Sequence, residues 1–257
     1  MISIGLGIAR PVVMDTARAK SAARWLGFGA GVAVATYGVY VGASWLRYGH
    51  AKRPGEAKDG DELLDRFMPA YEIAERHQVK VAAPADITFS TACAMDLEDS
   101  AIIRAIFKAR ELLLCASPQG NTLPRGLLAQ TEAMGWTVLA EIPGREIVMG
   151  AITEPWKGTP VFKGVPPDQF AAFHEPGHVK IAWTLRADSA GPNKSVFRTE
   201  TRAICTDAES RTKFRLYWSF LSPGIILIRK MSLGPLKKAA EYRARGRQFH
   251  RKAARAL

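Results

Sequence analysis

A chain of 257 residues, 47% hydrophobic, 9% aromatic and 23% charged, has the length and composition of a folded protein with a core of its own. Its formal net charge of +12 sits at the ends: residues 1–59 carry eight basic against three acidic side chains, residues 60–228 eighteen against twenty, and residues 229–257 ten against one. The nearly neutral middle excludes a basic groove for nucleic acid, and three widely spaced cysteines, Cys93, Cys115 and Cys205, point to neither a disulfide framework nor a zinc knuckle and favour a reducing compartment.

Residues 1–24 form a basic N-terminal tail. From Trp25 to Leu46 runs WLGFGAGVAVATYGVYVGASWL, 22 residues without a charge, which at about 1.5 Å per residue covers the roughly 30 Å hydrocarbon layer of a bilayer. Arg24 and Arg47 bracket it, and Trp25, Trp45 and Tyr48 stand where aromatic rings favour the lipid interface. Residues 25–46 therefore read as one transmembrane helix and the chain as a single-pass membrane protein. A signal peptide cut after Val41-Gly42-Ala43 is the competing reading, but its apolar core would exceed the usual run of about 7–15 residues. Gly27/Gly31 and Gly38/Gly42 each make a G-x-x-x-G spacing through which two such helices could form a homodimer. The basic residues on the two sides of the span tie. Clustered Lys237, Lys238, Arg243, Arg245, Arg247, Arg251 and Lys252 are attracted to anionic cytoplasmic headgroups and place the globular domain in the cytoplasm.

Residues 47–62 lack an apolar anchor and read as a linker, so the soluble domain occupies residues 63–242 and a basic tail residues 243–257. Tyr71 to Ala82 alternates, with Tyr71, Ile73, Glu75, His77, Val79 and Val81 on one face of a strand. Pro84 ends it, Ala85–Leu97 reads as a short helix, and Asp99 or Ser100 caps a second helix with Ile102, Ile103, Ile106, Phe107, Leu113 and Leu114 along one side. After a loop around 117–126, the apolar or β-branched runs Leu127–Glu132, Trp136–Ile142 and Glu146–Thr153 read as a meander of strands, with Pro143-Gly144 as a turn. Asp168–Phe173 makes a helical turn, and the alternating stretches His178–Arg186 and Ser195–Cys205 make an antiparallel hairpin. Asp207 caps a helix that runs to about Gly246, which Pro223-Gly224 and Gly234-Pro235 should kink or interrupt.

This order, together with the opening YEIAERHQVKVAAPADITF, the paired strands KIAWTLRAD and SVFRTETRA and the closing helix RTKFRLYWSFLSPGIILIRKM, resembles the START-like, or SRPBCC, superfamily of lipid-transfer and polyketide cyclase-like proteins. The resemblance covers Leu63 to Tyr242 and implies an α+β helix-grip fold, a curved antiparallel sheet wrapped on a long C-terminal helix, here preceded by the transmembrane helix. It also implies an apolar cavity for a hydrophobic small-molecule ligand, lipid- or isoprenoid-like. None of the quoted stretches is a catalytic motif.

His174–His178, HEPGH, matches H-E-x-x-H, which on a helix sets two zinc-binding imidazoles on one face. Pro176 and Gly177 would cost about 3 and about 1 kcal/mol inside a helix, and proline disfavours helical geometry at Glu175. A zinc metalloprotease is rejected on that ground, and no metal ligand or cofactor is expected. The candidate ligand-binding residues are Glu75 and His77, ionisable groups on an otherwise apolar strand face, with Ile181, Trp183 and Phe197 on the hairpin and the aromatics Trp136, Tyr217 and Trp218. Binding or transfer of an apolar molecule beside a membrane is the leading reading. A cyclase- or hydrolase-like enzyme using Glu75 and His77 as acid and base is the alternative. Arg198, Glu200 and Arg202 read as a solvated charge ladder.

Overall fold

The structure, a computed structural model, describes residues 16–48, 60–96, 104, 108 and 124–254. The chain divides into two compact units, residues 1–43 and 44–257. The first consists mainly of one helix, α1 (Thr16–Arg47), whose stretch Ala23–Arg47 is long and apolar enough to cross a membrane and has none of its apolar window buried. α1 begins ahead of the apolar run because the Ala, Arg and Lys residues before Trp25 are strong helix formers.

The second unit is built on five antiparallel strands, β1 (Ile73–Val81), β2 (Thr137–Ile142), β3 (Glu146–Thr153), β4 (Val179–Ser189) and β5 (Ser195–Cys205), in the order β1-β5-β4-β3-β2. The helices are α2 (Glu62–Asp65), α3 (Ala85–Cys93), α4 (Leu127–Ala133), α5 (Pro167–Phe170) and the 47-residue α6 (Ala208–Ala254). First and last strands pair, with Ile73 opposite Ala203 and Val81 opposite Ser195. The long helix follows β5 directly. An antiparallel sheet gripping a long C-terminal helix is the helix-grip fold.

Because side chains alternate along a strand, one sheet face carries Ile73, Val81, Val179, Trp183, Leu185, Phe197 and Ala203. It meets the helices in two separate clusters. Phe214 and Trp218 of α6 pack with Tyr48, Ile73, Val179, Ala203 and Cys205. Leu236, Ala240 and Ala244 of α6, with Ile87 and Phe89 of α3, pack on Val81, Met149, Trp183, Leu185 and Phe197. Each fully buried large apolar side chain here contributes about 1.5–3 kcal/mol. The opposite face is covered too, by Leu64, Phe67 and Met68 of the segment after Asp61 and by Phe170 of α5, which pack on Val148, Ile152 and Ala182.

Three expectations are corrected. Leu127–Glu132 is helix α4, not a strand: Gly126 at φ +94° turns the chain, and the Leu, Ala, Gln and Glu that follow favour helix, leaving Thr131 as the lone β-branched residue, its hydroxyl bonded back to Leu127 O at 2.6 Å. α6 is not interrupted by Pro223 or Pro235. Each proline costs about 3 kcal/mol, but the helix is clamped on the sheet on both sides of the pair, by Phe214 and Trp218 and by Leu236, Ala240 and Ala244. Glu200 and Arg202 are buried, not solvated, because the segment following Asp61 lies over them. The helix expected from Asp99 or Ser100 falls outside the described residues except at Arg104 and Lys108, both helical.

Candidate functional site

Strand alternation turns Glu75 and His77 toward α6, in the gap between the two apolar clusters. Glu75 pairs across the sheet with Thr201, and Thr201 with Trp183; His77 pairs with Thr199. The side chains are nearly enclosed, 14% and 9% exposed, and Glu75 Oε2 lies 4.0 Å from His77 Nε2. Tyr48, where α1 ends, donates its hydroxyl to Glu75 Oε1 at 2.7 Å. From the α6 side Arg229 acts on both groups. Burial holds His77 below the ordinary imidazole range, helped by Arg229 and Lys230 and opposed by Glu75. Burial likewise pushes Arg229 down to about 10, against the pull of Glu75. At neutral pH the belt therefore holds a neutral imidazole and a charged guanidinium.

Three polar atoms around the belt are buried without a hydrogen-bond partner, His77 Nε2, Thr201 Oγ1 and Trp218 Nε1; Thr153 Oγ1, opposite Val179 at the end of the same sheet face, is a fourth. Buried polar groups are rarely left so. Between Ser222 and Leu236 no residue of α6 is fully buried, so the helix closes least tightly over the belt. The other candidates fall on either side of it. Trp183 and Phe197 lie in one cluster with Trp136, which also packs on Phe162 at 5.1 Å and on Trp183 at 6.1 Å between ring centroids. Trp218, Ile181 and Tyr217 lie in the other, with Tyr217 stacked on Phe214. Tyr48, Thr201 and Arg229 were missed as members. Thr201 shares its alternating face with Phe197, and Arg229 follows Trp218, Ser222 and Ile225 at helical spacing, so both carried a signal. Tyr48 looked like an interfacial aromatic and carried none.

The HEPGH segment is a turn. Gly177 adopts φ +86°, and its N–H donates to Asp207 Oδ2, while His178 N donates to Thr206 Oγ1 at 3.0 Å. His178 Nδ1 lies 2.8 Å from Pro176 O and His174 Nδ1 2.8 Å from Ala172 O. The imidazoles thus engage local backbone. Asp207 Oδ1 also accepts from Ser210 N at 2.8 Å, so one carboxylate caps α6 and holds the turn entering β4. Its bonds to Gly177 and Ser210 keep it well below the usual carboxylate range. Among the described residues no group of three or more His, Cys, Asp or Glu is placed to hold a metal. Burial pushes the Cys93 thiol up to about 11 and Cys205 higher still, which leaves both protonated at neutral pH.

A cavity of about 180 Å³ opens on the outer side of β1 and β5, lined by charged and polar residues including Asp61, Arg76, Gln78, Arg186, Arg198 and Glu200. Of the candidates from sequence, His77 alone reaches its wall. Its cations are matched: Arg76 to Glu200 at 2.8 Å, Arg186 to Asp188 at 2.8 Å and Arg198 to Asp188 at 3.2 Å. Beside it, Glu146 Oε1 is the one buried atom of the outer face without a partner among the described residues, whereas His77 Nε2, Thr201 Oγ1 and Trp218 Nε1 gather on the inner face.

No family model matches the sequence, and no curated protein matches it. Among solved structures the chain is similar to the Zhui aromatase/cyclase from Streptomyces sp. R1128, at 12% identity over 66% of this chain and 94% of that one, with a TM-score of 0.23. It is similar also to norcoclaurine synthase from Thalictrum flavum, solved with dopamine and hydroxybenzaldehyde, at 11% identity over 73% of this chain and 94% of that one, with a TM-score of 0.24. Likenesses this distant lend neither protein's substrate to this chain.

Proposed function

We propose that this protein is a membrane-tethered binder of an amphipathic, largely apolar small molecule of lipid or isoprenoid type. The ligand lies between the sheet and α6, its polar group at Glu75, His77, Thr201 and Arg229 and its apolar body against Ile181, Trp183 and the aromatics beside them. The observation that carries the reading is the pair of unmatched buried atoms His77 Nε2 and Thr201 Oγ1 under the least tightly seated stretch of α6, with Trp218 Nε1 unmatched at the anchor that borders it. A buried group left without a partner costs about 1–3 kcal/mol, and a ligand hydroxyl, carbonyl or carboxylate removes that cost. Burial of the ligand gains about 0.8 kcal/mol per methylene, and α1, read as a tether, keeps the route from the bilayer short.

Native mass spectrometry of the full chain extracted in mild detergent tests this. The expected result is a co-purifying apolar mass that disappears in Ile181→Trp, where the larger ring, on the inner face opposite Ala203, takes the ligand's place. A chain that retains no such mass and takes up neither fatty acids nor prenols on titration defeats the reading.

A second reading rests on the open, neutral His77 Nε2 beside a Glu75 carboxylate steadied by Tyr48. That pair could remove a proton from a bound substrate, with Arg229 stabilising the resulting anion. His77→Gln separates the two: a binder keeps its ligand unchanged in mass, whereas an enzyme accumulates a substrate that the unsubstituted chain converts.

A further inference from the structure

The outward side of α6, opposite Phe214, Trp218 and Ser222, carries Leu216, Phe220, Pro223 and Leu227 at helical spacing. Leu216 exposes 53% of its surface, Phe220 47% and Leu227 45%. At about 1.5 Å per residue this apolar run is roughly 16 Å long. Basic side chains follow on the same side, Lys230 and Lys238, both exposed. Apolar rows of this kind on a protein surface mark a binding face.

What says which partner it meets is the chain packed next to it. The last turn of α1 and Tyr48 belong to the same compact unit as α6. Arg215, the residue before Leu216, donates from Nε to Trp45 O and lies over the Trp45 ring at 4.5 Å. Tyr48 meets Trp218 edge-on at 5.8 Å. These contacts fix the start of the apolar row to the end of the apolar helix. Where α1 crosses a bilayer, Trp45 stands at its boundary, and Leu216 must stand beside that boundary as well.

We propose that the Leu216–Leu227 face of α6 is seated in the interfacial layer of the bilayer, its apolar side chains among the upper acyl segments and Lys230 and Lys238 level with anionic headgroups. The proposal rests on the reading of α1 as a membrane span and adds to it a second point of attachment. α6 then lies along the membrane plane at this stretch, and the part of the helix that closes over Glu75 and His77 faces lipid instead of water. Ligand exchange would proceed between the bilayer and the belt without an aqueous step.

The test uses the full chain in vesicles of phosphatidylcholine and phosphatidylglycerol, with the photocrosslinker p-benzoylphenylalanine in place of Leu216, Leu227 or Val34, and adducts identified by mass spectrometry. Val34, in the middle of the α1 span, reports the tether. Lipid adducts at all three positions are expected. Lipid adducts at Val34, with peptide adducts or none at Leu216 and Leu227, overturn the α6 surface and leave the tether standing. Peptide adducts there would identify a second copy or residues 97–123 as the cover instead. Absence of lipid adducts at Val34 overturns the tether, and the α6 proposal falls with it.

Discussion

Arg202 shows how much a single side chain can organise on the outer face of this sheet. It is 1% exposed, reaches Glu200 at 2.6 Å and Met68 O at 2.8 Å, bonds to Asp65, and lies over the Tyr71 ring at 4.7 Å. One guanidinium thus ties β5 to the segment that covers it, with its Nε and Nη1 donors matched in the planar geometry that lysine lacks. Removing one member of a buried ion pair leaves the other uncompensated and costs about 3–5 kcal/mol. Arg202→Leu should lower the unfolding free energy by that amount in denaturant titrations, and Arg202→Lys should recover little of it; an unchanged midpoint would mean that Glu200 is satisfied by Arg76 alone. Glu146 makes the opposite kind of statement. Its carboxyl is pushed up to about 8 by burial and by the neighbouring Asp61, with Arg186 and Arg145 only partly opposing. Between the ordinary carboxylate range and about pH 8 the folded protein therefore holds a proton that the unfolded chain has released. Stability from this group is complete below that range and declines as pH rises toward 8, by at most about 1.4 kcal/mol per pH unit for one proton. Melting curves from pH 5 to pH 8.5 should show that decline, and Glu146→Gln, neutral throughout, should flatten it.

At the scale of elements, the turn between α5 and β4 depends on a residue distant in sequence. Asp207 accepts from Gly177 N and from Ser210 N, so it holds the HEPGH turn and the start of α6 together. Asp207→Ala should speed amide exchange at both Gly177 and Ser210, while His174→Ala should leave both unchanged. Faster exchange at Ser210 alone would show that the turn stands without its clasp. The same contrast between local and distant causes explains which elements were legible in the sequence. β5 was readable to the residue, Ser195–Cys205, because alternation of Phe197, Thr199, Thr201 and Ala203 with Arg198, Glu200 and Arg202 has only one strand register that buries the apolar set. α4 was not, because a short apolar run, Leu127-Leu128-Ala129, fits either period and only its helix-forming composition argued for a helix. The burial of Glu200 and Arg202 was hidden for another reason. A charged strand face reads as solvated unless one knows that Leu64, Phe67 and Met68 fold back over it. In the site, Glu75 and His77 stood out as charges on an apolar face, while Tyr48 enters from the end of α1, which sequence patterning assigns wholly to the membrane.

For the molecule as a whole, the consequence of two apolar clusters separated by a polar belt is that α6 is anchored twice and loosely held between. Phe214, Trp218 and Ser222 are buried on one side of the gap and Leu236, Ala240 and Ala244 on the other, whereas Pro223 through Pro235 includes no fully buried residue. The two prolines lack an amide hydrogen and so remove backbone bonds from this same stretch. A helix usually frays from its ends, where hydrogen bonds are fewest. Here the distribution of burial adds a second weak stretch between the two anchors, since a segment opens most readily where doing so exposes the least apolar surface. Amide exchange should accordingly be faster over Ile226–Leu233 than over Lys213–Ser222 or Leu236–Ala244. A ligand that satisfies His77, Thr201 and Arg229 from beneath should slow exchange in the middle stretch and leave the two anchors unchanged, because it fills the gap between them. Uniform protection along α6 in the ligand-free protein would show that the belt is already closed. A ligand that protected the anchors instead would be bound elsewhere than between the sheet and this helix.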